Sequence, residues 1–192
     1  MPDLTLTTFD FDTMTALSRT AKPIARPLPS LLRGYFADTA AYGASLAKID
    51  PMVCEQVDIG VPESSGNVAH GTTLIKHGKI GTEHYMTKGQ FHTLLDTAEV
   101  YFCLSGHGGM TMETPEGKVD WREMRQGDVV HLSGRRVYRS INISATEPFM
   151  MLFAFPCHAG HDYGAIAAKG LRKLIVDKGG VPTMADNPCR KG

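Results

Sequence analysis

The sequence predicts an all-β fold, an antiparallel sandwich or closed barrel, and three observations support this prediction. From Pro51 onward, short runs of β-forming residues alternate with turn signals at regular intervals. Such spacing is typical of sandwiches and barrels. A Gln-x-His pair, Gln90 and His92, is followed by Glu99, and this trio has the layout of a metal site on strands. The length of 192 residues suits one domain with a sizeable core.

The first fifty residues differ from the rest of the chain. They begin with an extended arm in which prolines fix φ and remove backbone donors, at Pro23, Pro27 and Pro29. Asp38 is the predicted N-cap of a helix over residues 39–49, which Pro51 ends. We therefore expect an N-terminal arm and helix in residues 1–50 and a barrel in residues 51–192, within a single domain.

The barrel is predicted from nine short strands. They cover residues 53–57, 72–76, 84–87, 99–104, 109–113, 119–124, 129–132, 137–143 and 149–155. The turns between them are marked by Gly78, by Gly106 with Gly108-Gly109, by Pro115-Glu116-Gly117 and by Gln126-Gly127-Asp128. Residues 165–175 are expected to form either a short helix or a strand that leads out of the barrel.

Composition and charge exclude several classes of function. Lys plus Arg and Asp plus Glu both total 20, and this balance argues against bulk binding to nucleic acid or to an anionic membrane. The N-terminus shows no signal peptide, and no apolar run is long enough to span a membrane. Four scattered cysteines without a CxxC pair predict reduced thiols in a cytoplasmic protein: Cys54, Cys103, Cys157 and Cys189.

The residues around position 90 predict a metal-binding cluster. Residues two apart on a strand share a face, so Gln90 and His92 point the same way, inward if the strand lines a barrel. Imidazole binds Mn, Fe, Ni and Zn, and carboxylate suits the harder of these ions. Glu99 begins the next strand and would complete the cluster across a hairpin. The Gln90 amide is either a weak oxygen ligand or a polar group of the pocket.

A second block has the spacing of the second cupin motif, Gly-x5-Pro-x-Gly-x2-His-x3-Asn. Gly127 and Asn142 match the first and last residues of this motif. Its Pro, second Gly and His are replaced by Ser133, Arg135 and Tyr138. Together with the first cluster, this block predicts a cupin fold. That fold is a double-stranded β-helix, or jelly-roll barrel, around one divalent metal, here with an N-terminal helical arm.

Seven segments carry a closer resemblance over nearly the whole chain. They are GYF at 34–36, TKGxFH at 87–92, AEVY at 98–101, GxGGM at 106–110, TPEG at 114–117, AGHDYG at 159–164 and DNP at 186–188. On these segments the chain resembles the cupin-type glucose-6-phosphate isomerases of archaea and some bacteria. The segments at 87–101 and 159–164 are specific to that family rather than to cupins at large.

The resemblance implies a four-ligand metal site. The ligands of the family, His-x-His, Glu and a late His, fall on Gln90, His92, Glu99 and Tyr138. Fe(II) is the ion we favour, with Mn, Ni, Co and Zn as alternatives. A neutral phenol is a poor ligand, with an ordinary pKa of about 10. Tyr138 is therefore either a ligand or an aromatic that fills the site, and His131 is a less favoured substitute.

The resemblance also implies the substrate contacts and the catalytic groups. The sugar-phosphate contacts of the family fall on matching residue types at Thr73, Thr87, Gly89 and Tyr101. A tyrosine of the family pocket falls on Phe155, which lacks the hydroxyl. Glu99 is the candidate base, or else only a ligand. His161 is either catalytic or stabilises a turn.

The implied function is metal-dependent interconversion of glucose 6-phosphate and fructose 6-phosphate by a homodimer, through an enediol or a hydride shift. The alternative is a non-catalytic or repurposed cupin paralogue that binds a sugar phosphate. It is suggested by the changes at Gln90, Tyr138 and Phe155. A cupin dioxygenase is a more distant third. Three arginines are expected on a solvated loop rather than at the phosphate: Arg135, Arg136 and Arg139.

Overall fold

The computed structural model describes residues 8–10, 15–17, 22–27, 32, 34–48, 51–58 and 60–191. The predicted arm residue Pro29 and the last predicted helix residue, Ile49, lie outside these ranges. Strands dominate the described residues, so the prediction of an all-β fold is confirmed.

The strands and helices follow one another in this order. The strands are β1 Thr8–Asp10, β2 Thr15–Leu17, β3 Lys22–Pro27, β4 Met52–Asp58, β5 Val68–Ile75, β6 Lys79–Ile80, β7 Glu83–His84, β8 Glu99–Ser105, β9 His107–Glu113, β10 Val119–Arg125, β11 Val129–Leu132, β12 Val137–Asn142, β13 Phe149–Pro156, β14 Lys173–Lys178 and β15 Val181–Asp186. The helices are α1 Thr39–Lys48 and α2 Gly164–Lys169, with a 3-10 turn over Cys157–Ala159. Among the described residues, no helix is long and apolar enough to cross a membrane.

Two antiparallel sheets face each other as a jelly-roll barrel of the cupin type. The first has the order β11-β8-β13-β5-β4-β3. The second begins with β10-β9-β12 and continues, through the bridges Met86–Ile141 and Gln90–Tyr138, into residues 83–90 and then β14 and β15. Large apolar side chains fill the space between the sheets, among them Met110, Met112, Phe149, Met151 and Phe153.

The prolines of the N-terminal arm lie in an edge strand. The backbone of β3, which contains Pro23 and Pro27, pairs with β4 at the end of the first sheet. Proline is tolerated at such an edge because its missing N–H removes no bond from the interior of the sheet. Residues 22–27 therefore add a strand to the barrel sheet.

Helix α1 begins where the sequence predicts. The Asp38 carboxylate accepts a hydrogen bond from the Ala41 amide at 2.8 Å, so it caps one of the amides that the first turn leaves unpaired. Tyr42 stacks on Phe36 with ring centroids 6.1 Å apart. Both pack with Ile141 in a second core cluster, on the face of β12 that points away from the barrel interior.

The C-terminal region differs from the prediction. Residues 165–175 form both of the expected alternatives in succession, because Gly170, with φ of 73°, ends α2 before β14 begins. The hairpin of β14 and β15 was not predicted. Its signal was the pair Gly179-Gly180, both with positive φ, between two β-forming runs.

Gly106→Ala is expected to destabilise the fold far more than Gly127→Ala. Both glycines have positive φ, at 82° and 93°, which costs an alanine about 1–2 kcal/mol. A Cβ on Gly106 would also lie 2.1 Å from the Pro148 carbonyl oxygen, whereas Gly127 has nothing within 4 Å. We expect urea unfolding to show a loss of about 3 kcal/mol or more for the first variant and about 1 kcal/mol for the second. Equal losses would show that the Pro148 contact relaxes freely.

Candidate active site

A pocket with two lobes opens between the sheets. Its two lobes, which we call inner and outer, have cavity volumes of about 30 and 240 Å³. Four residues line both lobes and therefore join them: Gln56, Gln90, Tyr101 and Tyr163. Side chains from both sheets line the pocket, so it exists only in the folded barrel.

The segment after β7 approaches the pocket through a bulge against β12. The Thr87 amide donates to the Ser140 carbonyl at 2.9 Å, and Gln90 and Tyr138 exchange backbone hydrogen bonds at 3.2 and 3.3 Å. Going from Thr87 to Gln90 takes three residues, whereas going from Ser140 to Tyr138 takes two. The segment therefore contains one extra residue relative to β12, which defines a β-bulge. Gly89 occupies the bulge with φ of 79°. The predicted strand over residues 84–87 is formed only in part, since β7 ends at His84 and Met86 forms an isolated bridge with Ile141.

A hydrogen-bonded chain runs from Gln90 through Tyr138 to Glu99. The Gln90 amide nitrogen donates to the Tyr138 hydroxyl at 2.7 Å, and that hydroxyl donates to Oε2 of Glu99. Glu99 is 2% exposed. Burial raises the pKa of Tyr138 well above its usual value, and the nearby Glu99 carboxylate raises this pKa further. Tyr138 is therefore a neutral phenol that orients Glu99.

His92 lies on the other side of the Glu99 carboxylate. Its Nδ1 is 3.1 Å from the Gly160 carbonyl oxygen, which can only accept, so Nδ1 carries a proton. Its Nε2 is 3.2 Å from Oε2 of Glu99. Burial lowers the pKa of His92, but the Glu99 carboxylate and the Gly160 carbonyl outweigh it and raise this pKa.

Oε1 of Glu99 is buried and has no hydrogen-bond partner among the described residues. Nε2 of His92 is also buried, and it lies 3.2 Å from Oε2 of Glu99 without hydrogen-bond geometry toward it. A buried polar atom without a partner is costly, so such an atom marks a place where a water, an ion or a substrate group can bind. The described part of the chain contains no cluster of three or more His, Cys, Asp or Glu that would suit a metal. His131 is exposed on β11 and does not reach this site.

Aromatic rings close the outer lobe around His92. The ring of Phe155 lies 5.2 Å from that of His92 and 5.1 Å from that of His161. The His161 ring lies 5.9 Å from His92 and stacks on Tyr163 at 6.0 Å. The structure thus places the predicted residues Phe155 and His161 beside the predicted ligand.

The inner lobe contains the predicted substrate residues. They are Thr73, Thr87, Gly89 and Tyr101. Tyr101 packs edge-on against Tyr138, and burial raises its pKa well above the usual value. Within the described ranges, Lys88 is the only lysine or arginine that lines this lobe, and its Nζ lies 5.6 Å from the centre of the Tyr163 ring.

Sequence reasoning missed several residues of the pocket: Gln56, Asp58, Glu63, Lys88 and Tyr163. Lys88 and Tyr163 lie inside the motifs TKGxFH and AGHDYG, so their position was a usable signal. Gln56 faces inward by the alternation of β4, and its amide lies 3.4 Å from the Thr73 hydroxyl. The expectation of a solvated loop was wrong for Arg139, which is 3% exposed on β12.

Comparisons with known proteins agree with the resemblance of the motifs. Residues 32–188 match the sequence model of the glucose-6-phosphate isomerase family. Over 168 residues the chain is 43% identical to the glucose-6-phosphate isomerase of Thermococcus gammatolerans, covering 88% of this chain and 87% of that protein. Over 179 residues it is 41% identical to that of Pyrococcus furiosus, covering 93% of each. The isomerase of Sinorhizobium medicae is 37% identical over 150 residues, covering 77% of this chain and 70% of that protein.

Solved structures with a similar barrel are more distant. An oxalate oxidase in complex with glycolate superimposes with a TM-score of 0.42 at 13% identity, covering 52% of this chain and 47% of that chain. An oxalate decarboxylase of Bacillus subtilis superimposes with a TM-score of 0.46 at 18% identity, covering 59% of this chain and 29% of that chain. The strand order, rather than these overlaps, carries the assignment of the fold.

Proposed function

Because the chain belongs to the glucose-6-phosphate isomerase family, we propose that it interconverts glucose 6-phosphate and fructose 6-phosphate. The observation that carries this proposal is the layout of one pocket. Its inner lobe has hydroxyl groups, a glycine in a bulge and one lysine, whereas its outer lobe has the buried Glu99 carboxylate. A sugar phosphate needs both parts, one for its phosphate and one for its reacting carbons.

The inner lobe is the proposed phosphate end. Thr73 and Thr87 offer hydroxyls, Gly89 offers a backbone amide, and Lys88 supplies a positive charge. Charged donors and hydroxyls together bind phosphate oxygens more strongly than neutral groups alone. Holding the phosphate here positions the sugar along the pocket and makes the following step effectively unimolecular.

The outer lobe is the proposed reacting end. By the enediol route, aldose–ketose isomerisation moves a proton between C1 and C2, and this route requires a base that returns the proton as an acid. Glu99 suits this role because Tyr138 holds its Oε2, while its Oε1 is buried and has no hydrogen-bond partner among the described residues. We assign Oε1 as the oxygen that takes and returns the proton.

One divalent metal is proposed beside His92, and the donors fit it in part. Nε2 of His92 and Oε2 of Glu99 are 3.2 Å apart, close to the roughly 3 Å between neighbouring ligands of an octahedral ion. The Gln90 amide oxygen is a third, weaker donor, and the neutral Tyr138 contributes a hydrogen bond rather than a ligand bond. When bound, the metal supplies Lewis-acid polarisation of the sugar oxygens. Fe(II) is the proposed ion; Mn, Ni, Co and Zn are alternatives.

A coupled assay tests the proposed function. Chelator-stripped protein is re-supplied separately with Fe(II), Mn, Ni, Co or Zn, and conversion of fructose 6-phosphate is followed through NADP-linked oxidation of the glucose 6-phosphate formed. We expect turnover to return with at least one ion. Glucose 6-phosphate added directly controls for effects of each ion on the coupling enzyme. Absence of turnover under all conditions would contradict the isomerase.

The second candidate function is binding of a sugar phosphate without catalysis. It is favoured by the Tyr138 phenol, which is hydrogen-bonded to Glu99 where the family has a ligand, and by Phe155, which lacks a hydroxyl. Calorimetric binding of fructose 6-phosphate by a protein without turnover would support it. The homodimer and the cytoplasmic location remain predictions.

A further inference from the structure

Arg139 is a buried cation with an unusual partner. It alternates with Tyr138 on β12, so its side chain leaves the strand on the opposite face, away from the pocket. Its guanidinium donates to the Lys88 carbonyl from Nε at 3.3 Å and from Nη2 at 2.9 Å. It also contacts the Met86 sulfur at 3.2 Å and lies 5.7 Å from the centre of the Tyr35 ring.

The surroundings of this guanidinium do not neutralise it. In the part of the chain that the structure describes, Arg139 forms no ion pair. The more distant carboxylates of Glu83 and Glu113 raise its pKa through their charge. Burial lowers the pKa of Arg139 to about 10, which leaves it charged at neutral pH. A buried charge without a close carboxylate is costly, so the hydrogen bonds it donates must matter to the fold or to the site.

The geometry of the peptide bond links Arg139 to the pocket. In a trans peptide the carbonyl and the following N–H point in opposite directions. A Lys88 carbonyl that is held outward by Arg139 therefore turns the Gly89 N–H inward, toward the inner lobe that Gly89 lines. The bulge is tight, since a Cβ on Gly89 would lie 3.0 Å from the Tyr138 carbonyl oxygen.

We propose that Arg139 is a positioning residue, which holds the Lys88 carbonyl outward and thereby aims the Gly89 N–H at the phosphate of the substrate. This inference rests on the proposed function, since it assigns Gly89 to the phosphate end. It places a substrate-positioning group on the far side of the sheet from the reaction.

Arg139→Met tests this role, because methionine fills similar space without donors. The Gly89 N–H would bind the phosphate equally in the ground state and the transition state, so its loss raises KM rather than lowering kcat. We expect KM for fructose 6-phosphate to rise about 10- to 30-fold, with kcat within about threefold of the parent. Arg139→Lys retains the charge and a donor, and should give an intermediate KM.

Arg136→Met is the matched control. Arg136 lies three residues earlier, and its guanidinium contacts Ser133 and Asp120 instead of the bulge. We expect its KM to remain within about twofold of the parent, as for an interaction remote from the site. A shift in KM as large as that of Arg139→Met would overturn the proposal, because it would show a general effect of losing an arginine from this region.

Chemical rescue separates positioning from general stability. A cavity of about 210 Å³ on this side of the sheet, lined by Arg139, Tyr35 and Ile166 among others, opens beside the guanidinium. In Arg139→Ala, millimolar guanidinium can enter this space, and we expect it to lower KM back toward the parent value. A purely structural role would lower the unfolding midpoint but leave KM of the folded protein unchanged and without rescue.

Binding of inorganic phosphate makes the test independent of turnover. We expect calorimetry to show weaker phosphate binding by Arg139→Met, together with faster amide exchange at Gly89. If the parent binds phosphate but does not turn over, the isomerase fails while the role of Arg139 is still measured. Equal phosphate affinity in parent and variant would overturn the proposal. A parent that binds no phosphate would overturn it as well, along with the assignment of the inner lobe.

Discussion

Glu99→Gln is expected to reduce isomerase kcat by about 1,000-fold with little change in KM. Glutamine has the same shape and can still accept the Tyr138 hydrogen bond, but its amide cannot take a proton from the sugar. General acid–base groups contribute about 10²- to 10⁴-fold, and Glu99 is here the proposed single base. Its Oε1 is the buried carboxylate oxygen left without a hydrogen-bond partner among the described residues of the pocket.

Because Glu99 is also a proposed ligand, steady-state kinetics at saturating concentrations of the metal that gives the highest parental rate provide the measurement. Glu123→Gln is the control, since Glu123 lies on β10 with its side chain 49% exposed and pairs with His107 at 3.1 Å. We expect parental kinetics from the control. Circular dichroism and the unfolding midpoint establish that Glu99→Gln is folded. A Glu99→Gln enzyme that keeps more than about a tenth of the parental kcat would remove Glu99 from the role of base.

The double substitution Gln90→His and Tyr138→His is expected to tighten metal binding by at least about 100-fold and to raise turnover. It replaces a weak amide donor and a neutral phenol with two imidazoles, which are common ligands of the proposed ions. In four-ligand zinc sites each ligand contributes roughly 3 kcal/mol, or about 100-fold in affinity. Tyr138→His alone should account for most of the gain, because Gln90 already offers an oxygen.

Metal content after dialysis and calorimetric titration measure this effect without reference to activity. Gln126→His is the control, because Gln126 is exposed in the turn after β10 and adds an imidazole away from the site. We expect it to leave affinity at the parental value. If the double variant binds metal no better than the parent, the assignment of Gln90 and Tyr138 to ligand positions is wrong.

Local patterns were sufficient to predict most of the barrel. The predicted strand at residues 129–132 coincides with β11, and the turn glycines Gly106 and Gly127 both have positive φ. The Asp38 cap was also predicted. These features depend on short-range effects, namely steric limits on φ, side-chain alternation and caps within one turn, so a few neighbouring residues determine them.

Motifs located the pocket but did not determine how its groups are connected. TKGxFH and AGHDYG indicated the residues that line it, yet the Tyr138 hydroxyl meets Glu99 39 positions away, and the His92 ring meets the Gly160 carbonyl 68 positions away. Both contacts require the two sheets and the 157–163 loop to come together. Which atom of Glu99 is left free was therefore decided only by the fold.

Arg139 shows most clearly that local sequence does not predict contacts between distant segments. Beside Arg135 and Arg136 in the sequence it resembled a surface residue, and only the pairing of β12 with residues 83–90 buries its charge against a carbonyl 51 positions away. The sequence by itself determined most of the strands and turns and the family of this protein. The tertiary structure decided the bulge at Gly89, the orientation of Glu99 and the burial of Arg139. These three features depend on contacts between distant segments. Such contacts form only when the packing of the whole barrel offsets the entropic cost of closing the loops between them.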